Sequence, residues 1–131
     1  MTHDDLAKSM ACLLAWIDGK RNGVNGMLAI LHVIRNRSAA GAENGNWVNI
    51  VWEELDRKNS IAPDTRDPDF QAILQHVDGV YSGEIKDNLT TGATHYYDEM
   101  GDPNLWAIRH DTRYERCAKI GSLVLLKPEN V

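Results

Sequence analysis

Read for chemistry, the 131-residue chain offers scattered titratable and ring side chains. His32, His76, His95 and His110 lack the spacing of a metal site, and neither Cys12 nor Cys117 stands beside one of them; no metal or other cofactor is expected. Two cysteines are too few for a disulfide scaffold. Free thiols are expected in a chain without an export signal, with a Cys12–Cys117 bridge as the alternative. Cys12, inside an apolar run, reads as a buried thiol. The acidic pairs Glu53-Glu54 and Asp98-Glu99 read as solvated surface, with Glu53 or Glu54 a reserve acid only if its helix lines a cleft. Asp18, at the end of an apolar run, has the commonest role of such a carboxylate, at a helix terminus or in a loop. Thr94-His95-Tyr96-Tyr97 sets a hydroxyl, an imidazole and two phenols in a row. Trp47 and Trp52 fit packing roles. Trp106, in a loop, is the better groove wall.

Composition narrows the partners. The formal net charge is −5, which disfavours nucleic acid, whose binding needs a basic face. It also disfavours simple attraction to an anionic surface. No stretch approaches the roughly 20 apolar residues of a membrane span, so no membrane insertion is expected. The acidic start, Met1-Thr2-His3-Asp4-Asp5, does not read as a secretory signal. Synthesis in the cytoplasm is expected, with delivery by other means if the target lies outside. A hydrophobic share of 43% and the lack of linker or repeat fit one domain over residues 1–131.

Four helices must position these groups. The first follows Thr2 as cap, carries Leu6, Met10, Leu13, Leu14 and Ile17 at helical spacing, and ends near Gly19. The second starts near Asn25 with Met27, Ile30, Leu31 and Ile34 on one face, and ends in cationic Arg35-Asn36-Arg37. A shorter third runs from about Trp47 to Leu55. The fourth begins with Asp67 as cap and Pro68 as first residue, and its stripe continues to Gly83. After Gly92 the composition turns to strand: 93–97 and 120–126 are expected to pair as a small antiparallel hairpin with a long connection. Tyr96 and Tyr97 then point to opposite faces, and His95 shares a face with Tyr97. The class is α+β, mainly helical, with a small C-terminal antiparallel β-hairpin.

Three ordered segments carry a resemblance. Trp16-Ile17-Asp18-Gly19-Lys20-Arg21-Asn22-Gly23-Val24-Asn25-Gly26, followed by an apolar helix ending in Asn36-Arg37, resembles the opening of the cell wall hydrolase family that includes spore-cortex-lytic enzymes, in the lysozyme-like superfamily. That family has an aromatic, a spacer and a Glu-Ala-Arg-Gly-Glu run, then a Gly-containing loop and a helix closing in Asn-Arg. The second segment, Gly92-Ala93-Thr94 followed by aromatics, and the third, Trp106-Ala107 then Lys119-Ile120-Gly121, are similar to the family's later motifs. Three places depart, one of them in the closing strand, where the family carries a His or aromatic residue and this chain has Leu123 or Val124. Asp18 stands where the family has its acidic Glu, and Asn22 replaces the second Glu.

The resemblance implies a lysozyme-like domain that cleaves peptidoglycan glycan strands as a lytic transglycosylase or muramidase. It implies Asp18 as general acid, with Thr94, His95, Tyr96, Tyr97 and Trp106 as candidate substrate contacts. For Thr94 and His95 the alternative is a structural role in the strand. A monomer is expected, acting on the wall once released or delivered. Glycosidic cleavage needs a proton for the leaving oxygen, and an apolar wall from Trp16 and the second helix is one way to keep an acid protonated. Asp is one methylene short. A setback of roughly 1 Å can cost about 100-fold in rate, and its reference pKa is lower, about 3.9 against 4.3. Lys20 and Arg21 would add to this if they face it. The alternative reading is a catalytically weak or inactive glycan-binding domain of the same fold, one form of it phage-derived.

Overall fold

The chain first turns helical at Thr2. Its hydroxyl accepts the Asp5 N–H at 3.1 Å and its own N–H donates to the Asp5 carboxylate at 3.3 Å, so two donors at the helix start are satisfied reciprocally. The computed structural model describes residues 2–41, 45–57, 66–100 and 113–129, without the side chains of Glu53 and Arg57. Helix α1 spans His3–Gly19, a 3-10 turn Lys20–Asn22, and α2 Gly23–Ala39; α3 is Trp47–Arg57, α4 Pro68–Leu74 and α5 Val77–Ser82, and the strands are β1 His95–Asp98, β2 Tyr114–Ile120 and β3 Leu123–Pro128. This is a mainly helical α+β domain with a small antiparallel sheet at its C-terminal end. No described helix is long and apolar enough to cross a membrane.

α1 and α2 form the centre. α1 buries mostly small residues, Ala7, Ala11, Cys12, Leu14 and Ala15, and α2 is buried along most of its length, from Met27 to Ile34. The two backbones meet at their shared corner. A Cβ on Gly19 would stand 2.7 Å from Met27 Cα, and one on Gly26 would stand 2.7 Å from the Gly19 carbonyl oxygen. Only glycine permits that approach, so the corner fixes where α1 ends and how α2 leaves it. α3 packs across both helices, presenting Trp47, Ile50, Val51 and Leu55 to the core. Cys12 and Cys117 are free thiols. Burial, with a smaller contribution from the Asp78 charge, pushes the Cys12 thiol up to about 12.

Two expectations need correction. The fourth helix is two. Asp67 caps α4 through the N–H groups of Asp69 and Phe70, at 2.8 and 3.4 Å, but the helix stops at Leu74 and restarts at Val77. At the break the His76 ring bonds the Ala72 carbonyl at 2.8 Å. The C-terminal sheet has three strands in the order β1-β3-β2, all antiparallel neighbours. Residues 120–126, expected as one strand, contain a tight turn: β2 ends at Ile120, Gly121 takes φ 58°, and β3 begins at Leu123. β1 pairs with β3, Tyr96 opposite Leu125, so the expected partners do meet, with an unforeseen strand on the far side.

Candidate functional site

The last turn of α2 builds the floor of the site. Asn36 Nδ2 donates to the Ala93 carbonyl at 2.9 Å, to Asp87 Oδ2 at 3.1 Å and to Thr90 Oγ1 at 3.4 Å. Asp87 gathers the preceding loop, accepting from the N–H groups of Leu89, Thr90 and Gly92 and from the Thr90 hydroxyl. Burial works to raise this carboxyl, but the bonds from Thr90, Asn36 and Gly92 outweigh it and bring it down to about 2. The loop therefore holds a carboxylate at any ordinary pH, and it delivers the chain into β1 at a fixed point.

Arg37 continues the contact. Its Nη1 donates to the Thr94 carbonyl and lies 3.1 Å from His95 Nε2. A guanidinium only donates, so Nε2 is the acceptor and the ring proton sits on Nδ1. Nδ1 then donates to Thr94 Oγ1 at 2.9 Å. Burial first, and the Arg37 charge second, lower His95 to about 4, so the ring is neutral at pH 7. The imidazole also packs edge-on against Tyr114, with centroids 5.1 Å apart. Both nitrogens being engaged within the protein, the arrangement assigns Thr94 and His95 to holding Arg37 and β1 together.

Tyr96 leaves β1 on the other face. It is 3% exposed, and its hydroxyl donates to Asp18 Oδ2. Burial, then the charge of Asp18 and the bond to it, then the charge of Glu54, push the phenol well above its usual range, with Arg37 opposing. The proton stays on Tyr96, and Asp18 Oδ2 accepts the hydrogen bond. Asp18 itself is half-buried in the last turn of α1. Asp18 and Tyr96, two of the candidates named from the sequence, are thus in direct contact. Tyr97, half-buried opposite Val124, leaves the strand on the face away from Tyr96. Trp106, Ala107 and His110 lie outside the described residues.

Trp16, expected as part of an apolar wall for Asp18, lies two residues before it on α1. Two residues apart on a helix place side chains more than half a turn apart. Trp16 meets Phe70 edge-on at 6.4 Å and Lys20 Nζ over its ring at 4.5 Å. Lys20 also reaches Asp67 at 3.4 Å, and Arg21 reaches Asp98 at 3.8 Å. Asn22 accepts from the Ser122 N–H at 3.0 Å and hydroxyl at 3.2 Å. It fastens the α1–α2 corner to the β2–β3 turn.

No family model, curated protein or solved structure matches this chain. The site therefore rests on its own geometry. Among the described residues no group of three or more His, Cys, Asp or Glu side chains is placed to hold a metal ion.

Glu54 was read as surface, and the structure corrects this: it is 1% exposed. The signal was in the sequence. Trp47, Ile50, Val51, Glu54 and Leu55 fall at helical spacing on one stripe, so the acidic residue shares the core face of α3. Trp52, off that stripe, is 57% exposed. The assembled site is a half-buried carboxylate bonded by a buried phenol, with a second carboxyl and a guanidinium within electrostatic reach of that phenol. Such a set suits proton transfer to and from an oxygen.

Proposed function

We propose that this domain cleaves the glycan strand of peptidoglycan, as a lytic transglycosylase or a muramidase, with Asp18 as the group that exchanges a proton with the glycosidic oxygen. One observation carries the reading. Stretches that bear the family resemblance, or directly adjoin it, are far apart in the chain, yet hydrogen bonds join them, and one of those bonds ends on Asp18. Asn36 and Arg37 hold Ala93, Thr94 and His95, Asn22 holds Ser122, and Tyr96 holds Asp18. A chance likeness in unrelated segments gives no reason for that convergence.

A single carboxyl group suffices for the transglycosylase form. Asp18 gives its proton to the oxygen leaving C1 of the muramic sugar. The sugar's own 6-hydroxyl then closes on C1 and returns a proton to Asp18, so the group ends as it began. Tyr96, keeping its proton, fixes the orientation of the carboxyl through the cycle.

The test is turbidity loss and muropeptide analysis of purified peptidoglycan with wild type, Asp18→Asn and Asp18→Glu. Wild type is expected to release anhydro-muropeptides or reducing ends, and Asp18→Asn to lose at least 100-fold in rate. Equal clearing by both refutes the role of Asp18. The shortened acid favours a second reading, a glycan-binding domain without turnover. Binding to peptidoglycan with no product supports it, and product release rules it out.

A further inference from the structure

Asp18 sits in the last turn of α1, and the corner that carries it is fastened to the sheet four residues further on. Asn22 closes the 3-10 turn after α1. Its Oδ1 accepts from both the N–H and the hydroxyl of Ser122, at 3.0 and 3.2 Å. The side chain stands between two glycines. A Cβ on Gly26 would lie 2.7 Å from Asn22 Cβ, and one on Gly121 would run into Asn22 Oδ1. Ser122 is in turn tied to the end of β1. Its carbonyl accepts from the Glu99 N–H at 2.9 Å, and the next residue, Leu123, pairs with Asp98. Tyr96, two residues before Asp98 on the same strand, reaches back to Asp18. These contacts close a ring: from Asp18 along the corner to Asn22, across to Ser122, over to the end of β1, and back through Tyr96.

We infer that Asn22 is a positioning residue of the candidate site: by gripping the β2–β3 turn it fixes the end of α1 against β1, and so sets the Asp18 carboxyl on the Tyr96 hydroxyl. Tyr96 is 3% exposed and rooted in a paired strand, so it cannot follow a drifting partner. The carboxyl has to be brought to it. One bond between Asp18 and Tyr96 leaves the corner free to pivot about that bond. A second bond four residues away removes the pivot. Arg21, beside Asn22, reaches Asp98 at 3.8 Å with half of its side chain exposed. That is too long for a hydrogen bond and restrains direction little. Asn22, with two donors converging on one oxygen, supplies the directional tie, and the two glycines leave it the room to do so. Its effect reaches Asp18 through the corner and needs no contact with substrate.

The inference rests on the proposed glycan cleavage only for its kinetic readout. The full chain is labelled with ¹³C at tyrosine Cζ, and the Tyr96 resonance is assigned by its loss in Tyr96→Phe. Asn22→Ala removes the acceptor. The Tyr96 resonance is expected to move toward its place in Asp18→Asn, while that of Tyr81, bonded to Asp4, stays in place. On peptidoglycan, kcat is expected to fall about 10-fold with KM unchanged, within the range that a small misplacement of a reacting group produces. Val80→Ala is the control for lost stability alone, since it truncates a fully buried side chain on α5. Its Tyr96 resonance is expected to stay at the wild-type position. A folded Asn22→Ala protein with an unmoved Tyr96 resonance overturns the inference, whatever its activity, and so does a Val80→Ala protein that moves the resonance as far. If wild type has no activity on peptidoglycan, the functional reading fails and the resonance still decides the positioning. Should Asn22→Ala not fold, Ser122→Ala replaces it, because it removes the hydroxyl bond and leaves the N–H bond. The Tyr96 resonance is then expected to move the same way by less, and an unmoved one overturns the inference.

Discussion

Replacing Asp87 by Asn tests whether the loop before β1 is held by charge. Asp87 Oδ2 accepts from Asn36 and from Gly92 at 3.1 and 3.2 Å, and Oδ1 accepts from the Thr90 N–H at 2.8 Å. Bringing a carboxyl from 3.8 to about 2 corresponds to a preference for the ionised form of about 2.5 kcal/mol. The group is only partly buried, and solvent screening reduces this to about 1 kcal/mol. The sign follows from the depressed pKa. The contribution is fully present above the unfolded value near 4 and is lost as pH falls toward 2. Asp87→Asn also turns an amide donor toward Asn36 or the Thr90 hydroxyl, so the total loss at pH 7 is expected to be about 2 kcal/mol. Urea unfolding of both proteins at pH 7, 4, 3 and 2.5 separates the parts. The gap between them should narrow by about 1 kcal/mol toward pH 2.5, roughly 0.5 M in urea midpoint. A gap of constant size across that range would show that the loop does not depend on the carboxylate charge.

Two further outcomes are expected. Gly19→Ala should lower Tm by around 10 °C, because its methyl group would stand 2.7–2.9 Å from backbone atoms of Met27 and Gly26 that cannot swing aside; an unchanged Tm in a thermal melt would mean that the α1–α2 corner is less tightly closed. His95→Gln should flatten the pH dependence of stability between about 6.5 and 4. The native ring titrates near 4, so the unfolded chain binds a proton first and wild-type stability declines as pH falls through that window. Parallel wild-type and variant curves in chemical denaturation would contradict the assignment of Nε2 as an acceptor from Arg37.

The helical frame was legible because its signals are local. Thr2 with Asp5, Asp67 with Pro68, and the stripes of α1, α2 and α3 lie within a few residues of each other. The break after Leu74 was hidden because Phe70, Ile73, Val77 and Val80 stay in phase across it, so the apolar pattern does not register a lost turn. β2 was hidden for the opposite reason. Glu115, Arg116 and Lys119 are exposed on it, and a strand so charged at a sheet edge has little apolar alternation to read. The Gly121-Ser122 turn sits inside an apolar run, and only the close approach to Asn22 identifies it. Within the site, Asp18 and the Thr94–Tyr97 segment were readable as types in order. That Tyr96 rather than Tyr97 meets Asp18 depends on the register of β1 against β3, which no local pattern sets. Glu54 was concealed by its neighbour, since two adjacent acids look like surface until the helical stripe is traced through them.

The thiol on α1 has a practical consequence. Alkylating reagents attack thiolate, and Cys12 is withheld from them by both its 0% exposure and a pKa of about 12. Cys117, in the hairpin, is half-buried. A mild reagent at neutral pH will therefore mark the sheet long before it marks the helical core. The slow second modification then times how often the α1–α2 centre opens, which gives the chain an internal clock for core exposure without any substitution.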